Sequence, residues 1–195
     1  MDTTSHLKKV VCPDLCAGPG FQVLDMQAYA SGLKPESALI LNQNPFSEMA
    51  CIKLQKMTKA LNGNIEAYWF ENKNFDLEKT LIHRIIVPLK PFDSGLEYED
   101  QPVKTEIVFD WFNLGTENLS RLEGLDLNHV NYDDAEALVY IGHVYNFCQI
   151  NSLRLKPIGS NLFKVYGDII VEFENEGLAR NEPFTFEAEV EYGKA

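Results

Sequence analysis

Leu162-Phe163-Lys164-Val165-Tyr166-Gly167-Asp168-Ile169-Ile170-Val171-Glu172-Phe173-Glu174 alternates, and so does Phe184-Thr185-Phe186-Glu187-Ala188-Glu189-Val190-Glu191-Tyr192. Successive side chains of a strand point to opposite faces, so each run has one apolar face. On the first, Phe163, Val165, Gly167, Ile169, Val171 and Phe173 share it; on the second, Phe184, Phe186, Ala188, Val190 and Tyr192 do. The segment between them contains Asn175, Gly177, Asn181 and Pro183, residues that favour turns. The reading is a β-hairpin over 162–192. Its inward set is odd-numbered on one strand and even-numbered on the other, so directly opposed residues must have numbers summing to an odd value. Glu172 opposite Glu187 and Glu172 opposite Thr185 both satisfy this.

The outward face of the hairpin gathers Asp168, Glu172, Glu174, Glu187, Glu189 and Glu191. Like charges opposed across a sheet cost only about 0.2–1 kcal/mol per pair, and salt screens exposed pairs further. Such a face is therefore stable in water, where it also keeps an edge strand from pairing with neighbours. The functional reading is a landing surface for a basic partner. The charge of the whole chain points the same way. The net charge is −12, but residues 1–62 carry +1 and residues 63–195 carry −13. Phosphate backbones and anionic membrane surfaces need clustered Lys and Arg, so neither is expected as a partner of the strand-rich part. Long-range attraction of something basic fits.

Upstream of the hairpin, Ile65 to Phe70, Leu81 to Leu89, Thr105 to Phe112, Ala137 to Tyr145 and Ile150 to Leu155 read as strands. In the third, Ile107, Phe109 and Trp111 fall on one face and Phe112 on the other. The leucines of 119–127 resemble a single leucine-rich repeat, which cannot stand alone, so they read as a loop or a turn of helix. Before the strands, Asn44 can cap a helix over 45–61 that starts with Pro45 and stops at Asn62-Gly63. Its stripe of Phe46, Ala50, Leu54, Met57 and Leu61 predicts a core-facing side, with Ile52 left among lysines on the polar side.

The expected fold class is α+β: about eight mainly antiparallel strands, with the 45–61 helix packed on the sheet. One domain is expected over 1–195. It comprises an irregular leader at 1–20, a helix-containing part at 21–63 and a strand-rich part at 64–195. No signal-like apolar run opens the sequence, which suggests a cytoplasmic protein with reduced cysteines.

Catalytic signatures are missing: no Gly-rich phosphate loop, nucleophile elbow or His-Glu-x-x-His occurs. Cys12 and Cys16, with His6 nearby, lack the two-residue spacing and the second pair of a zinc site. Cys148 reads as a core thiol, and His83 and His143 as structural. A metal cluster of His129, Asp133, Asp134 and His143 follows no ligand spacing, so neither metal nor cofactor is expected. The chain reads as a non-enzymatic acidic binding protein that docks a basic protein, with an immunity- or antitoxin-type inhibitor of a toxin as its concrete form. Its partner-binding residues would be Asp168, Glu172, Glu174, Glu187, Glu189 and Glu191. The alternative is a small-molecule binder or enzyme, with a pocket between sheet and helix lined by Trp69, Trp111, Tyr140 and Tyr145. Oligomeric state is not legible.

Overall fold

In the computed structural model, residues 51–75, 77–116, 118 and 121–194 are described, and they lie in the compact unit Phe46–Ala195. Seven strands form a closed barrel: β1 (Gly63–Asn72), β2 (Leu77–Pro88), β3 (Glu106–Phe112), β4 (Glu136–Ile141), β5 (Val144–Pro157), β6 (Leu162–Val171) and β7 (Glu182–Lys194). Each strand is antiparallel to the one before it. With an odd number of such strands β7 runs in the direction of β1, so the seam that closes the barrel is parallel, from Gly63↔Val190 to Ala67↔Lys194. This corrects the expected α+β class: among the described residues no helix covers the sheet, because the sheet curls onto its own apolar face. Closure also removes the exposed edges that an open sheet would have to protect.

The hairpin keeps the expected parity. Opposed residues of β6 and β7 sum to 353 throughout, from Leu162↔Glu191 to Val171↔Glu182. Neither Glu172↔Glu187 nor Glu172↔Thr185 occurs. Glu172 leaves the ladder and begins a 3-10 turn over Phe173–Glu176, which ends on left-handed Gly177. The register that results draws Glu182 inward, where it is buried and meets Lys53 Nζ at 3.3 Å.

The expected helix over 45–61 is reduced, within the described residues, to the single turn α1 (Leu54–Met57). Residues 45–50 lie outside those described. Tertiary hydrogen bonds override the helical stripe from Thr58 onward. Thr58 is extended and its hydroxyl donates to the Lys90 carbonyl, Ala60 bridges Leu89, and the Leu61 N–H donates to the Pro88 carbonyl. The Leu61 N–H, which finds its partner at the end of β2, cannot also serve an i→i−4 ladder. Burial follows the extended path, so Ile52 and Leu54 are core while Met57 and Leu61 are exposed.

Two local features depart from simple alternation. In β3 one extra residue sits between Ile85↔Phe109 and His83↔Phe112, and Trp111 takes φ 64°. That bulge turns Phe112 into the core and leaves Trp111 outside, edge-on to Phe70 with ring centroids 4.8 Å apart. In the run 137–145, read as one strand, Gly142 and His143 both have positive φ and join β4 to β5 as a two-residue hairpin of the I′ kind.

The interior is filled by Phe109, Phe163, Phe184 and branched aliphatic residues on every strand. Phe92, Leu96 and Val103 from the β2–β3 connection join this core, as do Leu122 and Leu127 from the β3–β4 connection. Leu127 belongs to the leucine run, whose described part, 121–127, is a loop anchored to β5 by Asp126. Its carboxylate accepts from Ser152 Oγ, the Leu153 N–H and Arg154. Burial pushes the Asp126 pKa up, but these three donors outweigh it and hold the group below the usual carboxylate range.

Candidate functional site

The hairpin carboxylates stand on the outside of the barrel, as their parity requires. Asp168, Glu187, Glu189 and Glu191 are exposed on β6 and β7, whereas Glu172 and Glu174 lie at the barrel end in the β6–β7 connection. Much of this strip has local partners. Lys164 Nζ lies 2.7 Å from Glu187, Asn161 donates to Glu191 at 2.8 Å, Asn151 reaches Asp168 at 3.4 Å, and Asn175 holds Glu172 at 2.7 Å. Lys164 also stands opposite Glu189 in the register, and the neighbouring β5 adds Lys156 opposite Lys164. The Lys164 ammonium is held above its ordinary pKa, chiefly by its hydrogen bond to Glu187.

A different outer surface lies across β2 to β5. The register aligns Ile86 with Val108, Val108 with Leu138 and Leu138 with Phe147, one outward apolar row spanning four strands. One step along, Tyr140 pairs with Tyr145, their rings 5.0 Å apart and edge to face. Tyr140, Tyr145 and Phe147 are 42%, 63% and 49% exposed, values that set them apart from the buried aromatics of the core. Tyr140 and Tyr145 form part of a groove of about 780 Å³ that also takes in Leu61, Pro88, Val108 and Leu138.

Carboxylates border this wall on two sides. Glu106 shares the groove, and Glu99 and Asp100 share a smaller cleft with Tyr140. Beyond Phe147, a cleft of about 380 Å³ is lined by His129, Asp133, Glu136 and Glu172. Glu99 is tied down by the Gly142 N–H at 2.7 Å and by Ser94 Oγ at 2.8 Å. The carboxylates of Asp100, Glu106, Asp133 and Glu136 meet no cation and no hydrogen-bond donor among the described residues.

The four aromatics expected in one pocket are not gathered there. Tyr140 and Tyr145 share the outer groove, Trp111 lines a separate outer cleft with Phe70 and Ile82, and Trp69 is 55% exposed. The His-Asp cluster is likewise dispersed. His129 and Asp133 share one cleft, Asp134 lines the Trp111 cleft, and His143 sits in the β4–β5 turn with Nε2 3.1 Å from the Tyr98 carbonyl. His129 accepts the Ile150 N–H on Nδ1 at 3.1 Å, which fixes its orientation against β5. Cys12, Cys16 and His6 lie outside the described residues. Cys148 is buried, and burial drives its thiol pKa far upward.

Sequence reasoning missed a polar knot outside the barrel. Asp110 accepts from Tyr68 Oη at 2.8 Å, from its neighbour's Trp111 N–H at 2.8 Å and from both Arg84 Nε and its terminal nitrogen. Since Asp110 receives the N–H of the left-handed residue, it pins the bulge. Burial first, and then the Asp110 hydrogen bond, raise the Tyr68 pKa to about 12.

No protein-family model matches the chain, and neither a curated protein nor a solved structure matches it. No helix among the described residues is long and apolar enough to cross a membrane.

Proposed function

We infer that the chain is a non-enzymatic binding protein that docks a basic protein through the acidic outer surface of its barrel. The observation that supports this reading most is the outward placement of Asp168, Glu187, Glu189 and Glu191 along β6 and β7, with Glu172 and Glu174 at the adjoining end. A chain of net charge −12 attracts cationic surfaces over distance and repels anionic ones. An inhibitor of the immunity or antitoxin type, covering the basic active site of a nucleic-acid-cleaving toxin, would use such a surface. Exposed carboxylates of this kind contribute more to encounter rate and partner choice than to affinity.

The test is capture of partners at low ionic strength by the wild-type chain and by the triple variant Glu172→Lys, Glu187→Lys, Glu189→Lys, followed by binding isotherms across salt. Affinity should fall steeply with salt and be abolished by the reversals. Salt-insensitive binding that survives all three reversals would refute the reading.

A further inference from the structure

Most acids of the hairpin strip, Glu189 excepted, have local partners, whereas those around the apolar wall of β3 to β5 mostly do not. The outer face of a solvated antiparallel strand ordinarily carries polar residues. Here Val108, Leu138 and Phe147 are aligned on it, next to the Tyr140–Tyr145 pair. Isolated exposed hydrophobes need no explanation, but a contiguous row in register with a groove beside it does. The clefts bordering that row contain Glu99, Asp100, Glu106, Asp133, Glu136 and Glu172 against one lysine, Lys104. An aromatic centre with a charged rim is the anatomy of a protein contact surface, in which a few aromatic anchors supply most of the affinity.

We propose that this wall docks a protein segment that presents an apolar side chain between Lys or Arg residues. The apolar side chain enters the groove over Tyr140 and Tyr145. The flanking cations meet Glu106 on one side and Asp133 and Glu136 on the other. Charge decides the occupant. An acidic segment would be repelled by the rim. A second copy meeting the wall by two-fold symmetry would set the same carboxylates against each other. The proposal rests on the reading of a basic partner, but it moves the centre of contact from β6 and β7 to β3, β4 and β5.

The probe is the peptide acetyl-RRLWLRR-amide, titrated into the ¹⁵N-labelled full chain at low salt. Its controls are acetyl-RRSSSRR-amide and acetyl-EELWLEE-amide. Backbone amides of 106–108, 138–140 and 145–147 should shift with the first peptide, and the serine version should bind about tenfold more weakly. Phe147→Ser, and separately the pair Asp133→Lys, Glu136→Lys, should each weaken binding at least about fivefold. Reversal of Glu187 and Glu189 to Lys should change it less than about twofold, because both stand on β7, off the wall that the peptide covers. Phe147 and Tyr145 are solvent-facing, so their serine variants keep the core intact, and Tyr145→Ser serves as the second truncation.

Shifts confined to 182–191, with no effect of Phe147→Ser, would overturn the docking wall and leave the basic-partner reading standing. Failure of both arginine peptides to bind would overturn the two together. Equal binding of the glutamate-flanked peptide would show an apolar surface indifferent to charge and would also overturn it. So would a dimer, seen by sedimentation, that Phe147→Ser dissolves, since that would make a second copy the occupant.

Discussion

Gly167→Ala should destabilise the barrel by about 1–2 kcal/mol, and removing the ring of Phe186 should reverse the sign of that effect. Gly167 lies on the inward face of β6 directly opposite Phe186 on β7. A Cβ added there would stand 2.2 Å from two atoms of the Phe186 ring and 2.9 Å from a third. Carbon atoms rest about 3.5–4.0 Å apart, so the ring must withdraw by more than an ångström. It cannot do so freely, because it packs against Phe184 and Phe109 with centroids 5.8 and 6.0 Å away. Overpacking of this kind costs typically about 1–3 kcal/mol. The backbone at Gly167 does not lie in the left-handed region, so alanine suffers no conformational penalty. It lowers unfolded-state entropy instead, a gain of about 0.4–1 kcal/mol. Hence the net loss expected in the wild-type background. In a Phe186→Ala background the clash is gone and only the entropy gain remains, so Gly167→Ala should there stabilise by about 0.4–1 kcal/mol. Urea unfolding followed by the fluorescence of Trp69 and Trp111 gives all four midpoints of the cycle, and an unchanged slope would confirm that compactness is the same. A neutral Gly167→Ala, or the same sign in both backgrounds, would refute the claim that the ring fills the glycine's place.

Two pH dependences follow from buried or tied groups. His83 faces the interior, 1% exposed, and its ring nitrogens have no hydrogen-bond partner of good geometry among the described residues. Burial lowers its pKa, and the nearby backbone of Phe112 and Thr116 only tempers the shift. The unfolded chain therefore takes up a proton near pH 6.5 while the fold stays neutral, so stability present above that pH is lost as pH falls, by up to about 1.4 kcal/mol per unit. Between pH 7.5 and 5 the urea midpoint of wild type should fall relative to that of His83→Phe; parallel curves would show that the histidine contributes nothing to the pH dependence. Tyr68 works at the other end. Its pKa, raised to about 12 from 10.0, keeps the fold protonated while the unfolded chain ionises, so stability is lost as pH rises from 10 toward 12. For this half-buried group a loss of roughly 1–2 kcal/mol is expected after allowance for solvent. Tyr68→Phe should flatten the alkaline limb of the unfolding curve relative to wild type, and an unaltered limb would place the loss elsewhere.

Legibility tracked parity. The hairpin's two faces could be read because a one-residue slip would turn its carboxylates into the core. Its register could not, since that depends on where β6 ends, and Glu172 has no local feature announcing that it joins a turn. The helix over 45–61 failed for a tertiary reason: the Pro88 carbonyl takes the N–H of Leu61 and the Lys90 N–H takes the carbonyl of Lys59, partners about 30 residues away in sequence. The β3 bulge left a trace, since Phe109 and Phe112 are both core at a spacing that no regular strand allows. The Gly142-His143 turn was hidden inside an unbroken apolar run, where only the glycine marked it. Tyr140 and Tyr145 were singled out from sequence but assigned to an interior pocket. Alternation already argues otherwise, because Ala137, Val139 and Ile141 claim the inward face of β4 and leave Leu138 and Tyr140 outside.

Closure of the sheet decides where recognition can happen. The inward face of every strand is spent on packing, and the clefts described above open on the outer wall. Net charge alone does not choose among outer surfaces, because it is spread over both. What separates them is whether each carboxylate has a partner. The Lys164–Glu187 pair, part-exposed at Lys164 and exposed at Glu187, must be disrupted before Glu187 can serve another cation. Asp133 and Glu136 carry no such obligation, and they sit beside the ring of Phe147, where nearby apolar surface lowers the local dielectric and strengthens a new ion pair. A cation that arrives with an apolar neighbour gains on both counts at this wall and on only one at the hairpin.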